Sequence, residues 1–217
     1  MRSNRKLALG VVIIIFAIIS VSIFVPFILQ QTRDSKNIDV MNSDWTFHNE
    51  NNVEFKFDGD YLVLTDKSAF HKVRMERDIT ELKAGKIKLR ILQQSHMDDV
   101  ASFIDIELNS LMFFLTSDGS EVLELKVEKE TERSGYIRAK LSNNIETTVG
   151  TIELGEWTTI TIKFGDGSIG FPSTTSQFQY NGTIDGLRFE TSYRHWTGRF
   201  NIDFETFVGV PSNSSTT

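Results

Sequence analysis

The sequence predicts an all-β domain, two packed antiparallel sheets of the jelly-roll type, preceded by one N-terminal transmembrane helix. Three observations carry this expectation. Residues 7–29, LALGVVIIIFAIISVSIFVPFIL, hold no charge. From Trp45 onward the apolar side chains recur with period two, and Asp-Gly turns separate the alternating runs. Past the apolar run no helical periodicity competes with this pattern.

At about 1.5 Å per residue the apolar run spans roughly 34 Å, enough to cross a hydrocarbon layer with slight tilt. Arg2, Arg5 and Lys6 precede it with no acidic residue among them. Such short basic flanks stay cytoplasmic, so the C-terminal domain is expected outside a single-pass cell-membrane protein. A cleavable signal peptide has an apolar core of about 7 to 15 residues ending at small side chains. Here the run is longer and leaves through Pro26-Phe27-Ile28-Leu29-Gln30-Gln31, so an uncleaved signal anchor is expected. The resulting division is a basic flank over 1–6, the anchor over 7–29, a polar linker over 30–44, the sandwich over 45–210 and a disordered tail over 211–217.

The strands follow in order. Val53, Phe55 and Phe57 alternate with Glu54 and Lys56, and Asp58-Gly59-Asp60 turns the chain into Tyr61-Leu62-Val63-Leu64 as a hairpin. Lys86-Ile87-Lys88-Leu89-Arg90-Ile91 places apolar side chains on one face and cations on the other. Phe103-Ile104-Asp105-Ile106-Glu107-Leu108 repeats the pattern with carboxylates. Residues 111–116, the turn Ser117-Asp118-Gly119-Ser120 and residues 122–127 form a second hairpin, with a further strand over 136–141. Ile160, Ile162 and Phe164 alternate with Thr159, Thr161 and Lys163. A Gly- and Ser/Thr-rich loop over 165–177 precedes the closing strands at 183–190 and 199–208. Trp157 is expected in the core and Trp45 where the linker meets the domain.

Beyond residue 30 the chain carries 20 Lys+Arg against 29 Asp+Glu, a net charge of −9. Net charge therefore argues against nucleic acid or an anionic membrane surface as partner. It suits neutral glycans, cations or basic proteins. No cysteine occurs, which excludes thiolate zinc sites and thiol catalysis and leaves an exported domain to rely on its core. His48, His71, His96 and His195 share no metal-ligand spacing. Asn181-Gly182-Thr183 and Asn213-Ser214-Ser215 are glycosylation sequons that this topology places outside.

Two passages resemble the concanavalin A-like lectin/glucanase superfamily, which includes laminin-G-like modules and β-glucanase-type hydrolases. The first is Gly155-Glu156-Trp157 with the strand that follows it. The second is the closing pair, Ile184-Asp185-Gly186-Leu187-Arg188-Phe189 and Trp196-Thr197-Gly198-Arg199-Phe200-Asn201-Ile202-Asp203-Phe204. Together they cover roughly the last third of the domain.

Phe103-Ile104-Asp105-Ile106-Glu107 is similar to the Glu-x-Asp-x-Glu strand of the glucanases, whose alternate carboxylates share one face. The resemblance implies a nucleophile at the first position, where this chain has Phe103. Asp105 and Glu107 are the candidates if the protein is an enzyme, and the expectation is that it is not. The same resemblance implies a structural calcium held by Asp203. Ser192-Tyr193-Arg194-His195-Trp196 sets aromatic rings beside hydrogen-bonding groups, as a sugar's apolar C–H face requires, so Tyr193, Arg194, His195 and Trp196 are the ligand candidates. The functional expectation is a membrane-anchored, surface-displayed lectin-like recognition or adhesion module for a glycan or surface protein. Its alternatives are a β-glucanase-type glycoside hydrolase and a component of a surface layer or pilus-like filament.

Overall fold

A computed structural model describes residues 35–42, 44–48, 53–59, 61–66, 74–96, 109–131, 133–174, 176–191 and 198–213. The expected anchor lies outside them, as do Phe103, Asp105, Glu107, Tyr193, Arg194, His195 and Trp196. Among the described residues no helix is long and apolar enough to cross a membrane.

The strands are β1 (Lys36–Asn37), β2 (Thr46–His48), β3 (Val53–Asp58), β4 (Tyr61–Asp66), β5 (Arg74–His96), β6 (Asn109–Ser117), β7 (Ser120–Lys129), β8 (Ser134–Leu141), β9 (Glu146–Glu153), β10 (Trp157–Gly165), β11 (Ser168–Phe171), β12 (Ser176–Gln179), β13 (Ile184–Glu190) and β14 (Gly198–Pro211). All pair antiparallel, in the order β12-β11-β10-β5-β13-β6-β7-β8-β9, with β14 on the other side of β5 and carrying β4 and β1.

The 23-residue β5 joins the two layers. Its first half pairs with β13, from Arg74↔Glu190 to Leu82↔Ile184, and its second half pairs with β10, from Gly85↔Phe164 to Leu92↔Trp157. The ladder therefore curls on itself and the two inner faces meet. Phe204 of β14 packs edge-on against Phe113 of β6 at 5.9 Å and Phe189 of β13 at 6.2 Å. The alternation seen in the sequence is what makes each face. In β8 every second residue from Gly135 to Leu141 is buried, and in β10 Ile160, Ile162 and Phe164 point inward.

Turn chemistry sets the register. Asp118 (φ 49°) and Gly119 (φ 72°) both occupy the left-handed region between β6 and β7, as a two-residue hairpin turn matching strand twist requires. The loop expected over 165–177 contains instead a hairpin, Asp166-Gly167, and the strands β11 and β12. Strand β9 also went unread, because Glu146-Thr147-Thr148-Val149-Gly150 has few apolar side chains to alternate. Within the expected linker, β1 pairs with β14 and Val40 is buried. Trp45 is buried beneath it, its Nε1–H donating to the Val40 carbonyl at 2.8 Å, with its ring 5.7 Å from Phe189.

Candidate functional site

The outer face of the layer containing β10, β5, β14 and β4 combines aromatic rings with polar groups. Along β10 the outward residues are Trp157, Thr159, Thr161 and Lys163, and along β5 they are Leu92, Arg90, Lys88 and Lys86 in matching register. From β14 come Asn201, Asp203 and Glu205.

Trp157 is 36 % exposed, which corrects the core placement expected for it. Its parity is that of Thr159 and Lys163, and opposite to Ile160 and Ile162. Tyr61 at the start of β4 leans across to bring its ring 5.3 Å from the Trp157 ring at a 41° tilt. The Arg90 guanidinium lies 4.9 Å from the indole centroid, a cation–π contact.

Asp203 lies on this face. Arg90 donates to its Oδ2 from Nε at 2.8 Å and also from Nη2. The hydrogen bond to Asp203, then the surrounding carboxylate charge, outweighs desolvation and holds the guanidinium pKa above its ordinary value. The oxygen expected to bind calcium is thus engaged by a cation already. Among the described residues no group of three acidic or histidine side chains converges as a cation shell.

Three polar groups lie at the end of this layer where β5 runs out and β14 begins. Asn201 Oδ1, Arg199 Nε and the whole side-chain amide of Gln93 are buried, with no hydrogen-bond partner among the described residues. Asn201 stands opposite Leu92, itself opposite Trp157, so its free acceptor belongs to the aromatic face. Gln93 takes its place on the core face, opposite Phe200.

The other layer also presents a polar face, and there the charges cancel. Lys126 meets Glu128 at 2.9 Å and Glu146 at 3.3 Å, Arg138 meets Glu128 at 2.6 Å, and Lys140 meets Glu124 at 4.0 Å. A cleft of about 470 Å³ is bounded by Arg74, Glu76, Thr116, Asp185 and Arg188. Arg188 is neutralised by Glu190 at 2.9 Å and by Glu121, and it stacks 4.2 Å from the Phe114 ring.

Of the sequon asparagines, Asn181 is exposed between β12 and β13, with Thr183 Oγ1 donating to Glu81 at 2.8 Å, and Asn213 is exposed in the turn after β14.

No family model and no curated protein matches the sequence. Solved structures do match the fold. The chain is similar to an apo Crh5 transglycosylase with a TM-score of 0.56 and 10 % identity, over 84 % of this chain and 86 % of that one. It is similar to the CBM2 module of the Lactobacillus casei BL23 phage J-1 evolved Dit with a TM-score of 0.52 and 12 % identity, over 84 % and 99 %. The Emp47p carbohydrate recognition domain aligns with a TM-score of 0.48 and 11 % identity, over 82 % and 95 %. The fold is a concanavalin A-like jelly roll.

Proposed function

We propose that the protein is a glycan-recognition module displayed outside the cell by its N-terminal anchor, with the outer face of β10, β5, β14 and β4 as its binding surface. The observation that carries this reading is the exposed Trp157 ring set against Tyr61 and Arg90. An aromatic face buries the C–H side of a sugar ring, while neighbouring donors and acceptors meet its hydroxyls. Asn201 Oδ1, buried on the same face, has no hydrogen-bond donor among the described residues. The transglycosylase and the CBM2 module provide carbohydrate-related precedents for a fold that itself fixes no function. Tyr193, Arg194, His195 and Trp196, which precede β14 in the sequence, remain proposed contacts.

The test is a glycan array probed with the full-length protein in nonionic detergent, with and without calcium, and repeated with Trp157→Ala and Tyr61→Phe. Binding that falls about tenfold or more in Trp157→Ala, at an unchanged unfolding midpoint, supports this face. Unchanged binding in Trp157→Ala moves the site elsewhere, with Trp196→Ala as the next variant.

The second reading, a carbohydrate-cleaving or -transferring enzyme, is favoured by the transglycosylase likeness and the Asp105-Ile106-Glu107 sequence. It requires turnover of a β-glucan that disappears in Glu107→Gln.

A further inference from the structure

The outer face that carries Trp157 does not end with the aromatic rings. Two residues per step along β10, it passes Thr159 and Thr161 and reaches Lys163, six residue rises on or roughly 20 Å away. Lys163 stands directly across from Lys86 of β5. The same cross-strand row continues through Val208 on one side and through Gly170 and Gln177 on the other. No carboxylate occupies that row.

Like charges set opposite each other on neighbouring strands are destabilising, and folds ordinarily interleave a counter-charge. This fold does so elsewhere. Lys88 is paired with Glu205 at 2.7 Å and Arg90 with Asp203, and on the other layer Lys126, Arg138 and Lys140 all meet carboxylates. Lys86 and Lys163 are both exposed, and among the described residues neither forms an ion pair; the nearby Glu205 is already taken by Lys88. A cationic pair with no ion-pair partner of its own, Lys86 reaching Glu205 only through the longer-range field, is a local positive patch on a domain of net charge −9.

We infer that the ligand of this face is an acidic oligosaccharide lying along β10 and β5, one sugar ring on Trp157 and Tyr61 and a carboxylate or sulfate on Lys86 and Lys163. This rests on the glycan reading and adds the substrate class to it. The roughly 20 Å between the aromatic and cationic ends requires a chain of several sugars, so monosaccharides bind weakly. A phosphate-rich membrane surface would use the lysines but not the indole.

The experiment measures binding of the full-length protein in nonionic detergent to oligogalacturonate, to a heparin oligosaccharide and to a neutral mixed-linked β-glucan of matched length. It is run at two salt concentrations, on wild type, Lys86→Gln/Lys163→Gln and the charge reversal Lys163→Glu. Both lysines are exposed, so unfolding midpoints equal to wild type or slightly higher are expected and serve as the folding control. Supporting results are preference for either acidic chain, an affinity loss of about tenfold in the double variant with a reduced salt slope, and a larger loss in Lys163→Glu. Carboxylate and sulfate ligands are told apart by which acidic chain binds more tightly. Binding of the neutral glucan that needs Trp157 but ignores both lysines overturns the acidic class while leaving glycan recognition standing. Failure of all three chains overturns both.

Discussion

Asp203 and Arg90 show how a single pair decides what a surface can do. The carboxylate is 8 % exposed and accepts two donors from one guanidinium, whose plane is held over Trp157. Asp203→Ala leaves that guanidinium with only Glu205, 4.0 Å away and shared with Lys88. Because Arg90 is partly open to water, the cost in urea unfolding is expected at about 1–2 kcal/mol, below that of a fully buried pair. Glu124 gives a pH signature. Burial raises its carboxyl pKa, with Lys140 and Lys126 opposing that only in part. The folded state therefore holds this proton above the ordinary carboxylate value, and stability falls as pH rises through the raised pKa. Glu76 behaves oppositely: burial raises its pKa, but hydrogen bonds and charge from Arg74 and His48 outweigh that and lower it, so its contribution is lost as pH falls below the ordinary value. Glu124→Gln is expected to flatten the decline in unfolding midpoint as pH rises above the ordinary carboxylate value and to leave the acid limb in place, as thermal melts across pH will check. Trp157 was legible at this scale and misassigned. Its parity with Thr159, Thr161 and Lys163 already placed it on the wet side, whereas its size alone suggested the core.

At the scale of the element, β5 determines the architecture. Its Lys86-to-Ile91 stretch reads plainly as a strand with one wet face. Its continuation back to Arg74 does not, because Glu81, Lys83, Ala84 and Gly85 interrupt the alternation at the crossing from one layer to the other. Gly85 is where the close approach occurs. A Cβ there would lie 2.5 Å from Phe164 Cζ and 2.7 Å from the Val208 carbonyl oxygen, so neither neighbouring strand leaves room for it. Gly85→Ala is expected to cost about 1–3 kcal/mol, read as a lower urea midpoint with an unchanged slope. Strands β9, β11 and β12 escaped sequence reading for a different reason. Their short, Thr-, Ser- and Gly-rich segments acquire strand conformation from the ladder they join rather than from their own side chains.

For the whole molecule, the two-sheet sandwich, the hairpins at Asp118-Gly119 and Asp58-Gly59 and the two closing strands were readable, since alternation and turn chemistry are local, although those two strands each pair with β5 and not with each other. The pairing of Tyr61 with Trp157 was not, because it depends on β4 and β10 being brought to opposite sides of the β5–β14 pair. The proposed display outside the cell predicts that protease added to intact cells removes residues beyond about 31 while uncut protein fractionates with membranes. Recovery of a soluble form lacking 1–29 would instead identify a cleaved leader.

The way the domain begins has a mechanical consequence. Lys36 and Asn37 hold β14 through a two-residue ladder, Ile38 N–H adds a bond to Phe207 O at 2.7 Å, and Arg77 then grips the carbonyls of Asp39 and Val40 at 2.9 and 3.1 Å and the side chain of Asn42. Tension applied at residue 36 peels the ladder one bond at a time and yields at low force. It next meets several bonds to one buried guanidinium loaded together, backed by Trp45 in the core. Pulled from that end, the protein is expected to extend in two steps, a soft slip of a few residues and then a stiff stop. Force passing that stop enters β5 directly through Arg77, and β5 carries Arg90, Lys88 and Lys86. A ligand held on that face would therefore be strained through one continuous strand, while β6 to β9 stay outside the load path.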